Sequence, residues 1–520
     1  MTSAPATPAT AGAAARAAAV QDRSFFGHPK GLGLLFAAEM WERFSYYGMR
    51  ALLVLYLVNA LQWDKARAAS LYGTYTMLVY LTPLIGGYIA DRFIGTHRAL
   101  LIGGAIISCG HFVLAFPGMN AFYAGLGLVI IGTGFFKANV STMVGQLYEK
   151  GDQRRDSGFT LFYMGINTGG ALGPLVCGGL AQSDRFGWHY GFAAAGVGMV
   201  LGLIMYSSLK RKYLGDIGDT PTGASTTVAS TATSGDSAGD RSTLNGIIGA
   251  AVGGVLSWML SGSVLGVIVG ATIGASLAIT ILGTHGEERN RVIALFIVSF
   301  FVVFFWAAFE QSGSSMSLFA DKFTDLSLGS FTIPSTWFQS VNSTIIIIFA
   351  PVLAALWIGL GKRSLEPSTP MKMAIGLFLI GTGFLFLAVG GGRADTGIKV
   401  SPMWLVAAYL FHSWGELCLS PVGLSYVTRM APVKFASLLM GVWFLANAAA
   451  NKVAGFLAGF TPLPGEAPAA VQPGLGGYLQ QLSATNKGFF SIFVVSSFVA
   501  SVLMLVCVPL LKRLTRSVRG

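Results

Sequence analysis

The sequence predicts an all-α membrane protein: two six-helix bundles plus an inserted two-helix hairpin, fourteen spanning helices in all. Three observations predict it. Of the 520 residues, 53% are hydrophobic and only 11% charged, against roughly 25% charged in a soluble protein. Apolar runs of about 20 residues, the length a helix needs to cross hydrocarbon, recur along nearly the whole chain. The alternating segments of about 10 residues that mark a membrane β-barrel do not occur.

The elements follow in order. Residues 1–24 are an Ala-, Thr- and Pro-rich tract. It has no basic start followed by a leucine-rich core, so it reads as a disordered cytoplasmic arm rather than a cleavable signal. Six spans are expected near 31–60, 68–91, 97–117, 121–149, 157–182 and 189–209, forming an N-terminal bundle over 25–212. Residues 213–243 are rich in Gly, Ser, Thr and Ala and read as a flexible cytoplasmic linker. The apolar stretch 244–283 fits a pair of spans turning near Gly262. Its glycines at 262, 266, 270 and 274 fall on one helix face and suit close helix packing. A C-terminal bundle over 284–520 has spans near 291–320, 335–361, 371–391, 402–430, 434–461 and 487–511. Two halves of six spans suggest parallel repeats with a ligand site between them. That inference rests on count and topology, since no direct similarity between the halves is visible.

The net charge of +12 would raise nucleic acid as a partner for a soluble chain. Here the basic residues gather in short loops, as at Arg92, His97 and Arg98, at Arg154 and Arg155, at Lys210 to Lys212, and at Lys362 and Arg363. These loops follow even-numbered spans, which places both termini on the cytoplasmic side. The basic tail from Lys512 to Arg519 suits anionic headgroups. The four cysteines, at 109, 177, 418 and 507, are scattered in apolar segments. They form no disulfide or metal pattern and read as small buried side chains.

The first span carries charges that a bilayer opposes. Glu39, Glu42, Arg43, Tyr46 and Arg50 recur every three or four residues and share one helix face, with Tyr47 beside them. Each charge costs about 2.5–3.5 kcal/mol near the bilayer centre on insertion scales. The face is therefore expected to look into a water-filled, charge-compensated cavity. Other spans supply partners: Lys137, Glu310 and Glu416. In this group four carboxylates face three cations, and a surplus carboxylate in a low-dielectric site tends to hold a proton. Structural ion pairing between helices is the bland alternative, and for Arg50 and Glu310 the two readings look alike in sequence. Tyr80, Asn167, Trp306, Asn342, Ser420 and Trp443 are polar or aromatic candidates for the same cavity. Taken singly, each fits packing or interfacial anchoring as well.

Four segments carry a resemblance. Glu39-Met40-Trp41-Glu42-Arg43-Phe44-Ser45-Tyr46-Tyr47-Gly48 resembles the ExxER first-helix motif of the proton-dependent oligopeptide transporter family, part of the major facilitator superfamily. Residues 86–95 (GGYIADRFIG) are similar to its loop signature after the second span. Residues 162–170 (FYMGINTGG) resemble its fifth-helix signature, and residues 415–421 (GELCLSP) its tenth-helix motif. The inserted pair is also similar to bacterial members. The likeness runs from about residue 25 to the end.

The resemblance implies the superfamily fold with alternating access, in a bacterial inner membrane, importing di- and tripeptides with protons. By that resemblance Arg43 and Lys137 would receive the peptide carboxylate and Glu416 its amino group. Asn167 and Asn342 would bond the peptide backbone, and Tyr46, Tyr47, Tyr80, Trp306 and Trp443 would shape side-chain pockets, with Glu310 and Ser420 in the same binding set. Glu39 and Glu42 would couple protons with Arg43. Arg50 with Glu310, and Lys137 with Glu416, would close the periplasmic gate. No cofactor, metal or nucleic acid is expected, and the unit would be a monomer in the lipid bilayer. Animal members use a second-span histidine that residues 68–91 lack, so coupling should run through carboxylates. His111 and His412 are expected to be structural. Nitrate or a peptide-like organic solute is the alternative cargo. A membrane enzyme is disfavoured because no zincin motif, phosphate loop or nucleophile–base pair is found.

Overall fold

A computed structural model describes residues 22–149, 151–221, 236–261, 264–465 and 474–516. Among them, fourteen helices have 19 to 29 residues. They are α1 (Lys30–Leu55), α2 (Lys65–Ile89), α3 (Thr96–Leu114), α4 (Met119–Gln146), α5 (Arg155–Ala181), α6 (Trp188–Leu214), α7 (Asp236–Ser261), α8 (Val264–Leu282) and α9 (Gly286–Phe309), then, after a short α10 (Ser315–Phe323), α11 (Phe338–Lys362), α12 (Thr369–Ala394), α13 (Met403–Met430) and α14 (Ala436–Ala458), and after a short α15 (Leu475–Leu482), α16 (Asn486–Leu514). A two-stranded hairpin, β1 (Ser327–Leu328) against β2 (Phe331–Thr332), precedes α11. Nine helices among the described residues are apolar enough to cross a membrane on composition alone. The charges at 39, 42, 43 and 50 keep α1 out of that group. The helix of the inserted pair begins at Asp236 rather than 244, and the turn at Gly262 lies outside the described residues.

The chain divides into two compact units. The first comprises Met1–Trp63, Leu81–Ala229 and Leu326–Ile347. Its helices touch backbone to backbone through glycines. A Cβ on Gly103 of α3 would stand 2.7 Å from the Gly132 oxygen of α4, and one on Gly86 of α2 would stand 2.1 Å from the Gly134 oxygen. Thr82 also donates to the Ile130 carbonyl of α4 at 2.9 Å. α2 closes in a π-turn over Ala90–Ile94, after which Gly95 takes φ +79° and faces the Gly218 carbonyl. That backbone requires glycine, which gives the loop signature its last residue. Leu32, Leu35, Phe136, Val140, Met143 and Tyr206 form the core. The start of α11 packs on α5: Trp337 Nε1 donates to the Leu175 carbonyl at 3.0 Å, and Gln182 bonds Ser335 and Thr336.

The second unit comprises Asp64–Tyr80, Ser230–Asp325 and Ile348–Gly520. The first half of α2 lies on α14, where Gly73 meets Gly455 so closely that a Cβ on either would approach the other's backbone within 2.8 Å. The hairpin of α7 and α8 is likewise closed by glycines, Gly249 on Gly274 and Gly253 on Gly270, and by the Ser257 hydroxyl on the Gly266 carbonyl at 2.6 Å. Asp395, after α12, accepts the Asn486 and Lys487 amides at 2.9 and 3.0 Å and so caps the positive end of α16. Asp395→Ala is expected to cost about 1–3 kcal/mol, because it orphans amides near a helix terminus. The check is a thermal melt of the purified protein in detergent.

Just before α1, buried His28 holds the Tyr148 hydroxyl at 2.8 Å through Nδ1. Its Nε2 stands 3.4 Å from the Ser157 hydroxyl. Burial, reinforced by the Arg154 cation and opposed by Asp152, holds the His28 pKa below the ordinary histidine value. The folded state thus favours neutral His28. Its contribution is complete above the unfolded value of about 6.5 and is lost as pH falls through the lower folded value. The melting temperature should therefore fall more steeply in acid for the native protein than for His28→Gln.

Candidate functional site

Of the 26 residues of α1, 15 are Ala, Leu, Met, Glu or Arg, all good helix formers, and its periodicity fixes which side chains stand together. Glu39, Glu42 and Arg43 are 3%, 0% and 3% exposed, so the protein encloses them rather than leaving them in an open aqueous cavity. Arg43 Nε lies 3.0 Å from Glu39 Oε1 and 2.5 Å from Glu42 Oε2. Both acids thus converge on one nitrogen. Neither contact has hydrogen-bond geometry, and Glu39 Oε2 and both Glu42 oxygens have no hydrogen-bond partner. The attraction is ionic, in a place where a carboxylate's remaining lone pairs are costly to leave bare.

The guanidinium of Arg43 also lies over the Tyr46 ring at 5.3 Å, and that of Arg50 over Tyr47 at 5.6 Å. Tyr46 and Tyr47 meet edge to face at 5.1 Å. Lys137 on α4 is near enough to Glu39 and Glu42 to act on them electrostatically. Asn167, on α5, is buried and donates back to the Tyr163 carbonyl at 3.0 Å. Asn342 lies half-buried on the first turns of α11, in the same unit.

The backbone of α5 makes this arrangement possible. A Cβ on Gly169 would stand 2.1 Å from the Met40 carbonyl oxygen and 2.9 Å from Arg43 Cβ, and one on Gly173 would stand 2.4 Å from the Phe44 oxygen. Gly169 of the fifth-helix signature and Gly173 just beyond it let α1 lie directly on α5. Beside this contact an apolar cavity of ≈ 500 Å³ is lined by Met40, Trp41 and Phe44 of α1, Leu172 and Val176 of α5 and Leu201 of α6.

The second unit holds Tyr80, Trp306, Glu310, Glu416, Ser420 and Trp443. Glu310, Glu416 and Trp443 are buried, and Tyr80 and Trp306 half-buried. Ser420 sits on α13, with its side chain outside the described residues. Trp306 packs against Phe305 and Phe309. His111 and His412 are fully buried on α3 and α13, and His412 lies on the Phe384 ring at 4.6 Å.

Two features escaped the sequence reading. Lys452, on α14, is a further charge within a span, and it donates to the Thr74 hydroxyl at 2.8 Å. The signal was a lone lysine in the small-residue run 447–455 (NAAANKVAG). The second feature is a break between α9 and α10, where Glu310–Gly313 turns as a 3₁₀ helix. Its signal was the run 310–315 (EQSGSS) inside an apolar span.

The class follows from fold and sequence together: a polytopic helical transporter. A family model described as the POT family matches residues 97–472, and the chain belongs to that family. It is 41% identical to the transporter YclF of Bacillus subtilis, over 86% of this chain and 91% of that one. It is 35% identical to the peptide transporter YePEPT of Yersinia enterocolitica, over 84% and 89%. A crystal structure of a POT peptide transporter in complex with alafosfalin superposes with a TM-score of 0.77 at 36% identity, covering 97% of this chain and 99% of the other.

Gly169→Ala is expected to force α1 off α5 and to cost on the order of 1–3 kcal/mol, as overpacking does. Gly127→Ala, where a Cβ meets nothing within 4 Å, should leave the melting temperature nearly unchanged. Equal melting temperatures for the two variants would contradict the close-contact argument.

Proposed function

We propose that the protein imports di- and tripeptides together with protons by alternating access. The observation that carries the reading is Arg43 shared by Glu39 and Glu42 on α1, in a family whose relative in Yersinia is named a peptide transporter. A zwitterionic peptide needs a cationic wall and an anionic one. Arg43 and Lys137 take its carboxylate, Glu416 its amino group, and Asn167 and Asn342 its backbone. Tyr46, Tyr47, Tyr80, Trp306, Ser420 and Trp443 form tolerant walls, which suit broad specificity and modest affinity. Arg50 with Glu310, and Lys137 with Glu416, serve as the periplasmic gate pairs. The moving bodies are the bundles 25–212 and 284–520, joined by 213–243 and carrying the inserted pair 244–283. The setting is the bacterial inner membrane, with cytoplasmic termini and a monomer as the working unit.

In the mechanism, a proton arriving at Glu39 or Glu42 cancels one of the two charges on Arg43 Nε. The guanidinium then turns to the incoming carboxylate. Proton and peptide binding favour each other, and each shifts the other's affinity by the same factor. Nitrate satisfies Arg43 but offers nothing to Glu416, so it fits this set of residues less well.

The test is uptake of labelled dipeptide into liposomes containing the purified protein, with and without an inward proton gradient. Accumulation that requires the gradient and is blocked by unlabelled tripeptide is expected. A preparation that moves nitrate but no dipeptide would overturn the cargo. Glu42→Gln should lose gradient-driven accumulation yet keep peptide counterflow, since exchange needs no net proton movement. Uphill uptake by that variant would remove Glu42 from the coupling step.

A further inference from the structure

The α9–α10 break lies inside an apolar span, where carbonyls freed from the helix ladder must find partners within the protein. Two carbonyls at the break, those of Ala307 and Ser312, have one from a named side chain. Gln311 is fully buried, and its Nε2 donates to the Ala307 carbonyl at 3.1 Å and to the Ala454 carbonyl of α14 at 3.1 Å. Its Oε1 accepts the Ser315 hydroxyl at 2.7 Å. The Ser312 carbonyl accepts the Ser317 hydroxyl at 2.8 Å and the Tyr409 hydroxyl at 3.4 Å. One amide therefore joins the last turn of α9, the first turn of α10 and α14, using both donors and its oxygen. Glu310 is the residue immediately before it and belongs to the same 3₁₀ turn. On α14 the bonded carbonyl lies between Lys452, which reaches Thr74, and Gly455, which meets Gly73.

We infer that Gln311 is a positioning residue for Glu310: by bridging the α9–α10 break to α14 it holds the turn that aims the Glu310 carboxylate. This rests on the reading above that Glu310 belongs to the binding set. A glutamine that only filled space would be replaceable by an apolar side chain of similar length. One that aims an acid would not, because the turn would be free to rewind towards regular helix and carry Glu310 with it.

The experiment measures the Kd of dialanine for the purified full-length protein, across pH, in Gln311→Met, Glu310→Gln and the double variant. Gln311→Met should weaken binding about tenfold, the equivalent of one lost buried hydrogen bond, and should alter the pH profile as Glu310→Gln does. In the double variant the effects should not add, since both act through one carboxylate. Ser315→Ala, which removes only the contact to Oε1, should shift Kd in the same direction by a smaller factor and serves if Gln311→Met does not fold. Additive effects, or a weakened Kd with an unchanged pH profile, would overturn the positioning role. Native-like binding by Gln311→Met beside impaired binding by Glu310→Gln would overturn it while leaving Glu310 in the site. Native-like binding by Glu310→Gln would remove Glu310 from the site and the positioning role with it.

Discussion

Placing Arg43 between Glu39 and Glu42 inside a spanning helix is the constraint on which the rest of the first unit depends. Three ionisable groups within two turns cannot face hydrocarbon, so α1 has to be wrapped by protein on that side. Wrapping brings a second requirement, since a guanidinium and two carboxylates must be met by polar groups near enough to matter. Lys137 on α4 is such a group, while α5 presents Gly165, Gly169 and Gly173 to the α1 backbone and packs directly on it. The apolar side chains of α1 have the contrary problem, and Met40, Trp41 and Phe44 solve it against α5 and α6, with Trp41 lying on Gly202 and Phe44 on Gly198 of α6. One helix thus carries charges acted on from α4 and apolar side chains packed against α5 and α6, and glycine sets its approach to both of the latter.

The second unit solves a different problem, that of interrupting a helix where no water can satisfy its carbonyls. A helix that ran unbroken through Glu310 would need none of the bonds made by Gln311, Ser317 and Tyr409. Their presence shows that the turn is built rather than frayed. The same economy of neutral groups appears where α2 meets α14, at Gly73 and Gly455. A contact between two backbones has no charge to neutralise and little side-chain entropy to lose. Close glycine contacts and single hydroxyl bonds therefore carry much of the helix association on both units.

Much of this was legible in the sequence, for definite reasons. The number of long helices followed from hydropathy, because a bilayer sets a length that every span must reach. The cluster on α1 followed from helical spacing, because three- and four-residue intervals fix a face before any tertiary contact forms. The glycine stripe of α8 was legible in the same way, and Gly270 and Gly274 do pack on α7. Partner choice was not legible. Residues 64–80 join the second unit and residues 326–347 the first, yet their composition matches that of their neighbours in sequence. Gln311 and Lys452 were overlooked because single polar residues in a span look alike, whether they bridge helices or bind a ligand. Only the carbonyl at Ala454 and the hydroxyl at Thr74 separate those cases.

The locality of the α1 cluster has a physical consequence. Glu39 and Arg43 are four residues apart and Glu42 and Arg43 are adjacent, so the helix itself keeps them within reach of one another whatever neighbouring segments do. A change of protonation there need not move the backbone to be felt. It alters only how strongly Arg43 is held, and hence what it can offer to a group arriving from another helix or from solution. Since both acids approach the same nitrogen, removing one charge leaves the guanidinium's other nitrogens available while the second acid still anchors Nε. A cation held in this way can change partner without leaving its place, which a single ion pair spanning two helices could do only by parting them.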